Sequence, residues 1–184
     1  LSNKITQIDC FGNANGIIDL EVIGGSPAYT WQWNDGINTL DRSGLVPGNY
    51  RLTVTDSRQC TAVSNFFAIN SPAALSISGS STPVSCFGSS NGTAQITISG
   101  GTTPFLTEWS TGIFGTTLTA IEAGSYTASV TDANGCSAIR TVQVQSPSVI
   151  NIQSTAIQQP TCVGVDNGSI TTQVSGGTAP YSYM

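Results

Sequence analysis

The segment Cys10-Phe11-Gly12-Asn13-Ala14-Asn15-Gly16 returns as Cys86-Phe87-Gly88-Ser89-Ser90-Asn91-Gly92, and again as Cys162-Val163-Gly164-Val165-Asp166-Asn167-Gly168. The interval is 76 residues both times (86 minus 10, 162 minus 86). Gly24-Gly25, Gly100-Gly101 and Gly176-Gly177 keep the same offset, as do Trp33 and Trp109, Tyr50 and Tyr126, Asp56 and Asp132, and Cys60 and Cys136. A register held at cysteine, glycine, tryptophan and tyrosine restricts the chain to tandem copies of one small fold. The expected domains are 1–71, with its first strand incomplete, 72–147, and 148–184, the N-terminal half of a third copy. The pattern is expected to run on past both ends. Ser71-Pro72 and Ser146-Pro147 mark the junctions, where proline ends a strand and stiffens the link.

Each copy reads as strands. Ile18, Leu20 and Val22 alternate with Asp19 and Glu21, and the later copies offer Ala94, Ile96, Ile98 and Ile170, Thr172, Val174. Period two means one buried and one wet face. The Asn-Gly pair before each run suits a tight turn needing positive φ. Tyr50, Leu52 and Val54 form a later inward row, and no helical period appears. Leu45-Val46-Pro47-Gly48-Asn49-Tyr50 matches Ile121-Glu122-Ala123-Gly124-Ser125-Tyr126. That pattern resembles the tyrosine corner of immunoglobulin-like sandwiches, with Tyr50 and Tyr126 donating back to nearby backbone. The expected fold is all-β: tandem immunoglobulin-like β-sandwich repeats of about 76 residues.

In each full copy the two cysteines lie 50 residues apart (60 minus 10, 136 minus 86). Equal spacing predicts disulfides within each repeat, Cys10–Cys60 and Cys86–Cys136, with Cys162 unpaired here and its partner near position 212. Such a framework implies an oxidising, extracellular setting. A domain of ~76 residues buries only a little over ~60% of its unfolded surface. A disulfide closing a loop of this length contributes up to ~4 kcal/mol in the chain-entropy model. Zinc ligation and a catalytic thiol are the alternatives, but two cysteines per copy and no histidine do not supply a usual zinc site.

Charged residues are 8% of the chain, well under the usual ~25%, and the net charge is −5 with one lysine, Lys4. No basic patch exists to follow a phosphate backbone, so nucleic-acid binding is not expected. No apolar run reaches the ~18 residues that span a membrane. Without histidine there is no Ser-His-Asp or Cys-His arrangement. Asp19 and Glu21 are a carboxylate pair on paper, but their counterparts are Gln95 and Thr97, and a solvated face explains them better. Asp132-Ala133-Asn134-Gly135 is similar to the start of an EF-hand loop, yet Gln143 stands where glutamate is required. Asp56 and Asp132 read as turn caps. No catalytic residue, metal site or cofactor is expected.

Trp31, Phe66 and Phe114 correspond to Thr107, Thr141 and Asn38 in the other full copy, so the shared fold does not require them. They are candidate contact aromatics. Phe66 and Phe67 are adjacent, and strand alternation forbids both pointing inward.

Taken together, Cys-x-Gly-x-x-Asn-Gly, the Gly-Gly-Thr-Thr-Pro-Phe turn at 100–105, the tryptophan, the Ala-Gly-x-Tyr corner and Val130-Thr131-Asp132-Ala133-Asn134-Gly135-Cys136 resemble the SprB-type repeat of giant Bacteroidetes cell-surface adhesins. The first copy departs from it, with Pro27 one place early and Ser57-Arg58-Gln59 in place of Ala-Asn-Gly. The resemblance implies a non-catalytic structural and adhesive module, exported by type IX secretion and displayed as a stalk or filament for adhesion or gliding motility. The expected partners are neighbouring repeats, other copies in a filament, and a surface glycan or polysaccharide. The alternative is an array of carbohydrate-binding modules beside an unseen catalytic domain. A row of exposed aromatics at matching positions would favour it, and the sequence offers none.

Overall fold

The computed structural model describes residues 1–184, and every regular element is a β-strand. Contacts divide the chain into two compact units. One comprises Leu1–Ile77, Ile98–Leu106 and Val130–Ala138; the other comprises Ser78–Thr97, Thr107–Ser129 and Ile139–Met184.

The first copy contributes β1 (Ser2–Thr6), β2 (Gly16–Glu21), β3 (Thr30–Trp33), β4 (Arg42–Leu45), β5 (Gly48–Tyr50), β6 (Leu52–Thr55), β7 (Thr61–Val63) and β8 (Phe67–Ile69). They form sheets in the orders β1-β2-β4, β3-β6-β7 and β5-β8. Strands β5 and β6 are two parts of one line of chain broken at Arg51, and β8 follows β7 in the same way. Antiparallel sheets in this order enclosing one core make an immunoglobulin-like sandwich. Alternation does the packing: Ile18, Leu20, Trp33, Leu45, Leu52, Val54, Phe67 and Ile69 point into one core, with Tyr29 and Trp31 packed at its edge. The Trp33 indole reaches the core's rim, and its Nε1 donates to the Thr39 carbonyl at 2.8 Å.

The second copy supplies β9 (Ser76–Thr82), β10 (Gly92–Ser99), β11 (Leu106–Trp109), β12 (Thr117–Ile121), β13 (Gly124–Thr131) and β14 (Ser137–Val144), in the orders β12-β10-β9 and β11-β13-β14. Here β13 and β14 are continuous where the first copy is interrupted. The interruption is one extra residue at Ser64-Asn65-Phe66. Ser64 Oγ accepts from Leu52 N at 3.0 Å while Ser64 N donates to Leu52 O at 2.9 Å. Such a bulge lets Phe67 stay buried and sends Phe66 outward.

The third copy supplies β15 (Asn151–Gln158) and β16 (Ser169–Ser175), an antiparallel hairpin.

The Asn-Gly pairs are not the positive-φ turns expected of them. That conformation belongs to Gly12, Gly88 and Gly164, at φ 85°, 77° and 87°. Gly16 is instead a place of close approach: a Cβ there would sit 2.6 Å from Ile69 Cγ2 and 3.1 Å from Leu45 O. The asparagine ties the loop. Asn91 Oδ1 accepts from Ser85 N at 3.0 Å, and Asn167 does the same from Thr161 N.

Candidate functional site

The part of the molecule with most specific chemistry is built from two loops of the first unit. One is the Cys10 loop between β1 and β2. Asp9 Oδ1 accepts from Cys10 N at 2.6 Å and from Asn13 Nδ2 at 2.8 Å. The Asn13 amide is the largest cause holding the Asp9 carboxyl below its ordinary value.

The other loop is Asp132–Cys136, between β13 and β14. Asp132 Oδ1 accepts from Asn134 N and Cys136 N, each at 2.9 Å, and its Oδ2 accepts from Thr102 N at 2.9 Å. One carboxylate thus shapes the cysteine loop and pins it to the Gly100-Gly101 turn. Burial alone would raise the Asp132 carboxyl, but the donors from Thr102, Cys136 and Asn134 outweigh it and hold the group low. Gly101 has φ 65°, and a Cβ there would meet Leu75 Cδ1 at 2.9 Å. The turn therefore needs glycine for its backbone at 101, and at 100 also for room, since a Cβ there would run into the backbone carbonyl of Ala74.

The two loops meet. Asn134 Nδ2 donates to Asp9 O at 2.8 Å and to Thr102 Oγ1 at 3.2 Å. Cys10 and Cys136 are disulfide-bonded, with Cα atoms 5.7 Å apart and 126 positions apart in sequence. Cys60, Cys86 and Cys162 are free and exposed.

This corrects the pairing expected from spacing. Cys10–Cys60 and Cys86–Cys136 do not form, because the two cysteines of a copy sit at opposite ends of the strands. Phe11 lies beside Gly48 and Ile69, at the start of β5. Cys60 follows Thr55, the last residue of β6. The chain from Gly48 to Thr55 advances at about 3.3 Å per residue, roughly 20 Å in all. A disulfide bridges Cα atoms only about 4.4–6.8 Å apart. The second copy runs the same course along β13.

The remaining expected residues are spread out. Tyr50 Oη donates to Val46 O and Tyr126 Oη to Glu122 O, each at 3.0 Å. Both are four residues back, as a tyrosine corner requires. Trp31 is half-buried, its ring 5.6 Å from that of Tyr29. Phe66 is exposed, with the Arg51 guanidinium 5.0 Å from its ring centre, and Phe114 is exposed elsewhere. Asp19 and Glu21 are exposed on β2, with Asp19 opposite Lys4.

Two aromatics were missed as contacts: Phe11 and Phe87 occupy the same position in their copies and are each 65% exposed. Phe87 lines a surface cleft with Pro147, Val149 and Gly177. Their signal was in the repeat itself, since the phenylalanine follows the cysteine both times. No group of three or more His, Cys, Asp or Glu side chains comes together, and no helix is long and apolar enough to cross a membrane.

Comparison with known proteins gives one family. The model of the SprB repeat matches residues 2–38, 78–114 and 154–184, three times at the 76-residue interval. No curated protein matches the sequence. Among solved structures, an amphioxus IgVJ-C2 molecule is similar at a TM-score of 0.37 and 11% identity, over 72% of this chain and 97% of that one. That likeness is too slight to bear on function.

Proposed function

Because the chain belongs to the SprB repeat family, we propose that it is a segment of a large secreted cell-surface protein whose repeats form a stalk or filament for adhesion or motility. The chain is a structural repeat module, and the observation that carries the reading is the threefold family match at one fixed interval. The Cys10–Cys136 bond supports an oxidising, extracellular setting, because cytosolic thiols are kept reduced. The weakly charged, Gly/Ser/Thr/Asn-rich surface is in keeping with it. Export by the type IX route belongs to the same reading. So does a role for neighbouring repeats, further copies or a surface polysaccharide as partners.

Immunogold labelling tests the setting. Antibodies against the 184-residue chain are expected to decorate intact cells of the source organism and to lose their target on protease shaving. Labelling only after permeabilisation overturns the proposal.

The matched exposure of Phe11 and Phe87 favours a second reading, a carbohydrate-contacting array, since aromatic rings can supply sugar-stacking surfaces. A glycan array probed with the chain and with Phe11→Ala/Phe87→Ala separates the two. Binding lost in the double variant supports sugar contact, and no binding by either protein leaves the stalk.

A further inference from the structure

We propose that the Cys10–Cys136 bond is one instance of a recurring staple: the first cysteine of each repeat bonds the second cysteine of the repeat that follows. Cys86 then takes a cysteine 126 residues further along, and Cys60 takes one 126 residues before it, the separation seen between Cys10 and Cys136.

Both halves of the bonded pair are built again at the free cysteines. The Cys60 loop repeats the hydrogen bonds of the Cys136 loop. Asp56 Oδ1 accepts from Arg58 N and Cys60 N, each at 2.9 Å, and Asp56 Oδ2 accepts from Ser26 N at 3.1 Å. Asp56 N donates to Cys60 O at 3.0 Å, as Asp132 N does to Cys136 O at 2.9 Å. Gln59, at φ 65°, takes the left-handed place that Gly135 holds at 84°.

The Cys86 loop likewise copies the Cys10 loop. Ser89 N donates to Cys86 O as Asn13 N donates to Cys10 O, both at 3.1 Å.

The receiving surface is present as well. In the bonded joint, Gly101 N donates to Ala73 O at 2.9 Å, which sets Thr102 to meet the incoming loop. At the next joint Gly177 N donates to Ser148 O at 2.8 Å, and Cys86 lines one cleft with Gly177 and Thr178. The exposed thiol therefore stands in the surroundings that Cys10 has, lacking only an Asp-x-x-x-Cys loop. The partner is recognised by that loop. Its residue two before the cysteine must donate to the Ser85 carbonyl, as Asn134 does to Asp9; Arg58 keeps that donor capacity in the first copy.

Each staple joins two thiols into one disulfide. The two protons and two electrons pass to a disulfide oxidant, which is reduced to two thiols.

The test begins with the chain itself, folded in oxidised and reduced glutathione, alkylated without reduction and mapped by mass spectrometry. Cys10–Cys136 is expected as the linked peptide, with Cys60, Cys86 and Cys162 alkylated. A Cys10–Cys60, Cys60–Cys86 or Cys86–Cys136 peptide overturns the proposal. The chain is then lengthened by a second copy of residues 109–145 after Met184, which completes the third repeat in register. Alkylation of Cys86 is expected to fall from nearly complete to nearly none, with Cys86 linked to the added copy of the Cys136 loop. Cys86 still open to alkylation in a folded longer chain overturns it. If the longer chain does not fold, the mapping of the 184-residue chain decides alone.

Discussion

Strands β2 and β16 carry the same alternating pattern at equivalent positions, yet Ile18 is fully buried while Ile170 is 68% exposed. The difference is not local. Both strands pair antiparallel with the strand before them, β2 with β1 and β16 with β15. Hairpin hydrogen bonds need only neighbouring residues, so the third copy makes them. Burial needs a facing sheet: in the first copy the sheet of β3, β6 and β7 packs on the core across from β2, whereas β15 and β16 form a two-stranded sheet by themselves. Identical patterning thus specifies which face is apolar, and the rest of the repeat specifies whether that face is covered.

The largest expected effect breaks this comparison at its centre. Ile18→Ala should destabilise the first copy by about 2–5 kcal/mol, through lost burial and the cavity left behind. Ile170→Ala should stay within about 0.5 kcal/mol. Denaturant melts followed by far-ultraviolet circular dichroism decide; equal costs would mean that the third copy is covered after all.

A smaller contrast lies at the two corners. Tyr50 is buried, and Tyr50→Phe leaves the Val46 carbonyl short of its donor, a cost of about 1–2 kcal/mol. Tyr126 is half-buried, so water can replace its hydroxyl, and Tyr126→Phe should cost only about 0.5 kcal/mol. Melts of both variants check the order, and a reversed ranking would show that exposure does not set the cost.

Smaller still is the bulge aromatic that the second copy lacks. Phe66→Ala removes an exposed ring under the Arg51 guanidinium and should cost about 0.5 kcal/mol or less. A loss comparable with that of Ile18→Ala would place Phe66 in the core.

Last comes an effect read on the acid limb of the stability curve. The backbone donors of Cys60 and Ser26 lower Asp56; at Asp132 similar donors prevail over burial. With folded values below the ordinary 3.8, the unfolded chain binds protons first. The stability these carboxylates contribute is complete above that value and is lost as pH falls through the lower folded one. Asp56→Asn and Asp132→Asn should each flatten the acid limb of the stability curve, measured by melts between neutral pH and pH 2. An unchanged slope in both would assign acid sensitivity to other carboxylates.

Much of the fold was legible because alternation and repetition are local signals. The strand faces of β2 and β10, the two tryptophans and the alternation at Phe66 and Phe67 needed only neighbouring residues. The site was less legible. Spacing predicted Cys10–Cys60, because equal intervals state that two positions recur but not at which end of the sandwich each lies. Counting strand directions between them would have separated them, and that count needs β4 and the break between β5 and β6, which are too short and irregular to read beforehand. Gly16 likewise looked like a turn glycine, since its crowding comes from Ile69, 53 residues away.

The sequence by itself determined an all-β tandem array, its 76-residue period, its inward faces and its membership of the SprB repeat family. Only the tertiary structure decided that Cys10 bonds Cys136, that Asn134 reaches Asp9, and which alternating strand is covered. The physical reason is range. Backbone propensity and side-chain alternation act over a few residues, whereas a disulfide requires two Cα atoms within about 7 Å, and chain course alone brings residues 126 apart to that distance.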